Sequence, residues 1–285
     1  EGNPGTFTEE KIKVLRKMGV NRISIGLQAW QDSILKCIGR IHTLEDFLKT
    51  YEMAREFGFS NINIDLMFGL PDQTIKNWKE SLQNVVELNP EHISCYSLIV
   101  EKGTPFYDAH VSGSLNLPGE EEERQMYYFA LDFLPKMGYE QYEISNFSKK
   151  NRRCEHNLIY WNLEEYIGCG AGAHSYVDGY RYRNTKNIEE YILQENLNQF
   201  LKLDKHENSL CDNMEEFVFM GLRKIDGIST EDFYRRFNRD IYSIYGNVIE
   251  KYINMGILIK EGHMLYLSKR GIEVSNSVMC DFILT

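Results

Sequence analysis

The sequence predicts an α/β fold, with parallel βα units in its first third and a small α+β module of winged-helix form at its end. Two observations carry that expectation. Three β-rich runs, "NRISIGLQ", "NINIDLMF" and "HISCYSLIV", alternate with amphipathic helices long enough to serve as crossovers. After residue 205 the pattern becomes helix, helix, helix and a two-stranded wing.

Each element has its own signal. "TEEKIKVLRKMG" places Ile12, Leu15 and Met18 on one helical face behind a Thr8 cap. "LEDFLKTYEMAREFG" is amphipathic and stops at Gly58, and "TIKNWKESLQNVVEL" aligns Ile75, Trp78, Leu82, Val85 and Val86. The near-continuous apolar character of the strands predicts burial on both faces, as in a barrel or a doubly wound sheet. Residues 103–119 read as loop, "EEEERQMYYFALDFLPKMG" as a helix opened by acids that suit its dipole, and "YEQYEISNF" as one strand. The C-terminal module has helices at 214–223 and 230–237 and a longer one bearing Ile241, Ile244, Tyr245, Val248, Tyr252 and Ile253. A hairpin "GILIKEGHMLYLS" and a last helix from Lys269 follow. The division falls at 1–205 and 206–285.

In parallel βα folds the chemistry sits at the carboxyl ends of the strands. Those ends carry Glu1 before "NPGT", Gln28 after "ISIGL" and Asp65 before "LMFGLP". Each alone suits a helix cap or a buried backbone partner. Repeated on successive units, they read as the lining of a site. Arg40 in "CIGRIH" adds a cation able to hold a carboxylate bidentately. Acid, amide, cation and acid suit a small zwitterion with hydroxyls, its ribose on the acids and its carboxylate on the arginine.

Composition narrows the classes. The 285 residues carry 42 acids against 32 lysines and arginines, a net charge of −10, which argues against a general affinity for nucleic acid or anionic lipid. The terminal module has nine Lys and Arg against ten Asp and Glu from Met214 onward, so its winged form lacks the cationic face that DNA needs. No apolar run approaches a membrane span and no signal peptide is seen, so an integral membrane protein is not expected. Six scattered cysteines without a Cys-x-x-Cys pair favour a reducing compartment, with the cytoplasm as default.

Two further stretches stand out. "GCGAGAHS" lacks the lysine of a nucleotide phosphate loop and fails G-x-G-x-x-G as well. "HNLIYW" sets His156 beside Tyr160 and Trp161. By itself that is a packed surface histidine with core aromatics, or an axial ligand in an aromatic-walled pocket, with His174 as second candidate.

"E-x-NPGT", "GVNRISIGLQ", "LKCIGRIH", "NINIDLMFGLPDQT", "NPEHISCYSLIVEKGTPFY", "YEQYEISNF", "HNLIYWN" and "IGCGAGAHSY" resemble, in order and spacing, the oxygen-independent coproporphyrinogen III oxidase-like family of radical S-adenosylmethionine proteins. The resemblance spans nearly the whole chain. It implies a partial (β/α) barrel that binds S-adenosylmethionine beside a [4Fe-4S] cluster, followed by a winged-helix domain. It implies cofactor contacts at Glu1, Gln28, Arg40 and Asp65. The family's Cys-x3-Cys-x2-Cys cluster motif is absent from this sequence. The chain is therefore read as a member lacking an N-terminal portion with the first barrel strands and the cluster ligands. "HNLIYW" resembles the motif of the family's heme-binding branch. It implies heme held by His156 with Tyr160 and Trp161 giving contact area, with His174 on the Gly-rich stretch as second candidate, and heme transfer to respiratory membrane proteins. A decarboxylating oxidase acting on coproporphyrinogen III and a partner-binding scaffold are the alternatives.

Overall fold

The structure is a computed structural model that describes residues 1–196 and 202–284. Packing divides the chain into two compact units, Glu1–Arg153 and Cys154–Thr285.

The first unit runs α1 (Glu9–Lys17), β1 (Ile23–Gln28), α2 (Asp32–Cys37), α3 (Leu44–Glu56), β2 (Ile62–Phe68), α4 (Ile75–Glu87), β3 (His92–Ser97), α5 (Pro105–Val111), α6 (Glu120–Lys136), β4 (Glu140–Glu143) and β5 (Asn146–Ser148). Its sheet has the order β1-β2-β3-β5-β4. The first three strands are parallel, as the crossover helices require, and β5 and β4 add antiparallel. Gly2 extends the other edge, pairing in parallel with Ile25.

The strands are not apolar on both sides. In "ISIGLQ", "INIDLMF" and "HISCYS" the residue character alternates, and the structure turns that alternation into two different faces. Ile23, Ile25, Ile62, Ile64, Leu66 and Ile93 are buried in the core with Phe47, Trp78, Leu82 and Met126 of α3, α4 and α6. Ser24, Asn63, His92 and Ser94 line the opposite face, and all four are buried. A helix-facing side of hydrocarbon and a second side of hydrogen-bonding groups is the arrangement that makes a site of the sheet.

Other local expectations shift. Thr8 caps α1 and Ile12 is buried, but Met18 is 76% exposed because it falls at the C-cap, beyond the face that packs. The 103–119 loop contains α5, started by Thr104 as cap and Pro105 in its first turn. "YEQYEISNF" is two strands, because the backbone reverses at Ile144–Ser145. There the Glu143 carboxylate accepts the N–H of Ser145 at 3.0 Å and the amide of Asn146.

The second unit contains α7 (Glu155–Trp161), β6 (His174–Val177), β7 (Tyr180–Arg183), α8 (Ile188–Asn196) and β8 (Leu203–Glu207). It continues with α9 (Leu210–Gly221), β9 (Ile228–Ser229), α10 (Thr230–Phe237) and α11 (Ile241–Asn254), then β10 (Leu258–Glu261), β11 (Met264–Leu267), α12 (Lys269–Glu273) and α13 (Ser275–Cys280). Strands β6-β7-β8 form one antiparallel sheet and β10-β11-β9 the wing. The packing division falls earlier than residue 205 because the β6–β8 sheet is fastened to α9. Arg181 pairs with Glu216, and the Tyr176 hydroxyl donates to Asn213 at 2.8 Å.

Candidate functional site

The polar face of the first sheet is built by register. Gly26, Asp65 and Ser94 lie level on adjacent strands, and Ser24, Asn63 and His92 form the row below. Asp65 is half-buried at the upper row. Its Oδ2 accepts the Ser24 hydroxyl at 2.9 Å and its Oδ1 the Asn63 amide at 2.7 Å. Burial pushes the Asp65 carboxyl above the usual carboxylate range. Hydrogen bonds from Ser94, Ser24 and Asn63 work against that rise, and the Glu1 charge adds to it.

Gln28 reaches the same place by an irregularity. A β-bulge between Gly26 and Gln28 shifts the register, and Gln28 takes φ 73°, a left-handed conformation uncommon outside glycine. Its side chain folds back over Gly26, where an added Cβ would stand 2.7 Å from Nε2. The glycine is needed for this approach, and Gln28 ends 7% exposed. Asn3 Oδ1 converges on the same glycine and accepts from Arg40 Nη1 at 2.8 Å. Among the described residues Arg40 makes no ion pair, so its charge is uncommitted.

The structure thus brings Glu1, Gln28, Arg40 and Asp65 to one end of one sheet. The sequence reading missed Ser24, Asn63, His92, Ser94 and Tyr142, which support them. For the first four the signal was in the strands, where polar residues alternate with apolar ones, as at Asn63 and Asp65 and at His92 and Ser94, while Tyr142 on β4 carried no such mark.

In the second unit α7 places His156 and Tyr160 one turn apart, with Tyr160 Oη 2.9 Å from His156 Nε2 and the rings edge to face. His156 is exposed, and Tyr160 also packs edge-on against Tyr166. Trp161, next along the helix, points elsewhere. The Arg223 guanidinium stacks on its ring at 4.5 Å, and its buried Nε1 has no acceptor among the described residues. His174 opens β6, exposed and opposite Arg183. Among the described residues no hydrogen bond or ring contact joins it to α7. Gly168 is required here, because an added Cβ would meet the His174 carbonyl at 2.2 Å.

Among the described residues no three His, Cys, Asp or Glu side chains gather to hold a metal ion. The residues present therefore do not fit an iron–sulfur cluster. They do fit a polar nucleoside, since a half-buried carboxylate, a buried amide and an arginine in no described ion pair lie around the Gly26 end of the sheet.

A family model described as the radical SAM superfamily matches residues 2–85, and one described as the HemN C-terminal domain matches residues 208–274. The class is therefore that of radical S-adenosylmethionine proteins with a HemN-type tail. The solved coproporphyrinogen III oxidase HemN of Escherichia coli has the same fold. It superposes with a TM-score of 0.80 over 99% of this chain and 68% of its own, at 18% identity. The chain belongs to the HemW family. It is 40% identical to the heme chaperone HemW of Bacillus subtilis over 99% of this chain and 75% of the relative. It is 37% identical to that of Lactococcus lactis over 100% and 74%. No helix among the described residues is long and apolar enough to cross a membrane.

Proposed function

We propose that this chain is a heme chaperone of the HemW type that binds S-adenosylmethionine at the strand-end socket. One observation carries the cofactor reading: around Gly26, level with Asp65, the Gln28 amide and Asn3 converge, Asn3 holds Arg40, and the Glu1 charge acts on Asp65. Asp65 receives the ribose hydroxyls, and Gln28 covers the nucleoside from its bulge. Arg40, held by Asn3, takes the carboxylate, and Glu1 faces the ammonium side. When bound, S-adenosylmethionine supplies a sulfonium whose reductive cleavage needs a [4Fe-4S] cluster, and no residue described here holds that cluster.

Heme is taken by the second unit. His156 is exposed on a helix face with a phenol beside it, and imidazole is a good iron ligand. Tyr160 gives contact area, while Trp161 fixes the helix beneath Arg223. His174 is the second candidate ligand. The heme acceptors are respiratory membrane proteins, reached from the cytoplasm, and residues 206–285 form the HemN-type tail that meets a partner.

Heme titration followed by the Soret band tests this reading, with His156→Ala as control. Binding by the unaltered protein and a shifted, weakened band in the variant support it. A protein that does not bind heme but consumes coproporphyrinogen III favours the oxidase. A protein that does neither and retains partners through its tail favours the scaffold.

A further inference from the structure

The polar face of the sheet carries a chain of hydrogen bonds that runs behind the cofactor socket and ends on Asp65. It starts at Tyr142 on β4, whose hydroxyl lies 2.8 Å from His92 Nε2. Across the ring, His92 Nδ1 lies 2.5 Å from Asn63 Oδ1, and Asn63 Nδ2 lies 2.7 Å from Asp65 Oδ1. Tyr142, His92 and Asn63 are all buried, at 1%, 0% and 2% exposed, so bulk water does not substitute for any link.

Chemistry gives the chain a direction. An ionised carboxylate only accepts, so the part of Asn63 facing Asp65 is its N–H group. The Asn63 oxygen then faces His92 Nδ1 while also accepting the Ser94 hydroxyl at 3.2 Å, and because an amide oxygen only accepts, the ring proton lies on Nδ1. A neutral imidazole has only one such proton, so Nε2 accepts and the Tyr142 hydroxyl donates. His92 is neutral, because burial and then the Arg22 charge push its pKa well below the ordinary range. Every donor in the chain points towards Asp65.

We infer that Tyr142, His92 and Asn63 are positioning residues, a one-way donor relay that orients the Asp65 carboxylate and keeps it ionised for the cofactor's ribose hydroxyls. The inference rests on the cofactor reading of Asp65. The competing role is structural: the same bonds tie β2, β3 and β4 together, and they would do so whatever Asp65 binds.

Coupling separates the two roles. S-adenosylmethionine affinity is measured by calorimetry for His92→Gln and Tyr142→Phe, each in the unaltered protein and in Asp65→Asn. Acting through the carboxylate, each change weakens binding about three- to tenfold in the unaltered protein and adds no loss once Asp65 is replaced. An equal loss in both backgrounds overturns the relay. Asp65→Asn with undiminished affinity overturns the cofactor reading instead, and the relay then stands or falls on the tautomer alone. That tautomer is read by nitrogen NMR of histidine-labelled protein without ligand; the tautomer itself needs no variant, and its coupling to the carboxylate is read in Asp65→Asn. A proton on His92 Nδ1, with ring-nitrogen shifts that move in Asp65→Asn, supports the relay. A proton on Nε2 overturns it.

Discussion

Ser24 Oγ lies 2.9 Å from Asp65 Oδ2, joining β1 to β2 where the polar face passes from buried to open. The carboxylate is thus held by its own sheet before any ligand arrives. Such preparation lowers the cost of ordering the site on binding.

Asp65→Asn should weaken S-adenosylmethionine binding by about 1.5–3 kcal/mol, the range for hydrogen bonds to a charged group. Its effect on stability has the opposite sign. Burial raises the Asp65 pKa in the folded protein, so the ionised group costs stability above that pKa and costs nothing below the unfolded value. The variant should therefore be as stable as the unaltered protein or more so at pH 7, with the advantage shrinking towards about pH 4. Melting temperatures at the two pH values and one titration check this. Lost stability with unchanged affinity would mark Asp65 as purely structural.

Gly26→Ala should act on binding more than on folding. The new Cβ meets the far end of the Gln28 side chain at 2.7 Å, and a flexible amide can swing away. Cofactor affinity should fall while the melting temperature changes little. A large drop in melting temperature would show that the bulge itself, not the amide, is what Gly26 protects.

His92 sets a pH dependence. Its folded pKa is depressed, so below about pH 6.5 the unfolded chain takes a proton that the folded one refuses. Stability should fall as pH drops through that value. His92→Gln should make the fall between pH 7 and pH 5 shallower. Some of it will persist, since burial also lowers the His42 pKa. Parallel curves for the two proteins would contradict the assignment.

On α7 the two aromatics should part company. Tyr160→Phe should weaken heme binding through the loss of a partner to His156, without changing the ligand spectrum. Trp161→Ala should lower the stability of the second unit by about 1–3 kcal/mol. Thermal melts and heme titrations on both variants decide. Equal heme losses with unchanged melts would put both rings against the porphyrin.

Incubation with iron and sulfide should give this chain no stoichiometric four-iron cluster, since its described cysteines do not gather. Iron and sulfide analysis with visible absorption tests it, and four irons per chain would refute it.

By itself the sequence determined the parallel βα units, the winged tail and the strand ends carrying Gln28 and Asp65, because these follow from periodicity and local caps. It also held the alternation of the three strands, although the density of isoleucine made them look apolar throughout. The tertiary structure alone decided which polar residues meet. Ser24 and Asp65 are 41 residues apart, Asn63 and His92 are 29 apart, and His92 and Tyr142 are 50 apart. Strand register sets these pairings, and register is a property of the assembled sheet. The backward fold of Gln28 depends likewise on a bulge that no local propensity announces, and the stacking of Trp161 depends on Arg223 arriving from beyond α9. Local chemistry chose the elements, and long-range packing chose the neighbours that give each polar side chain its task.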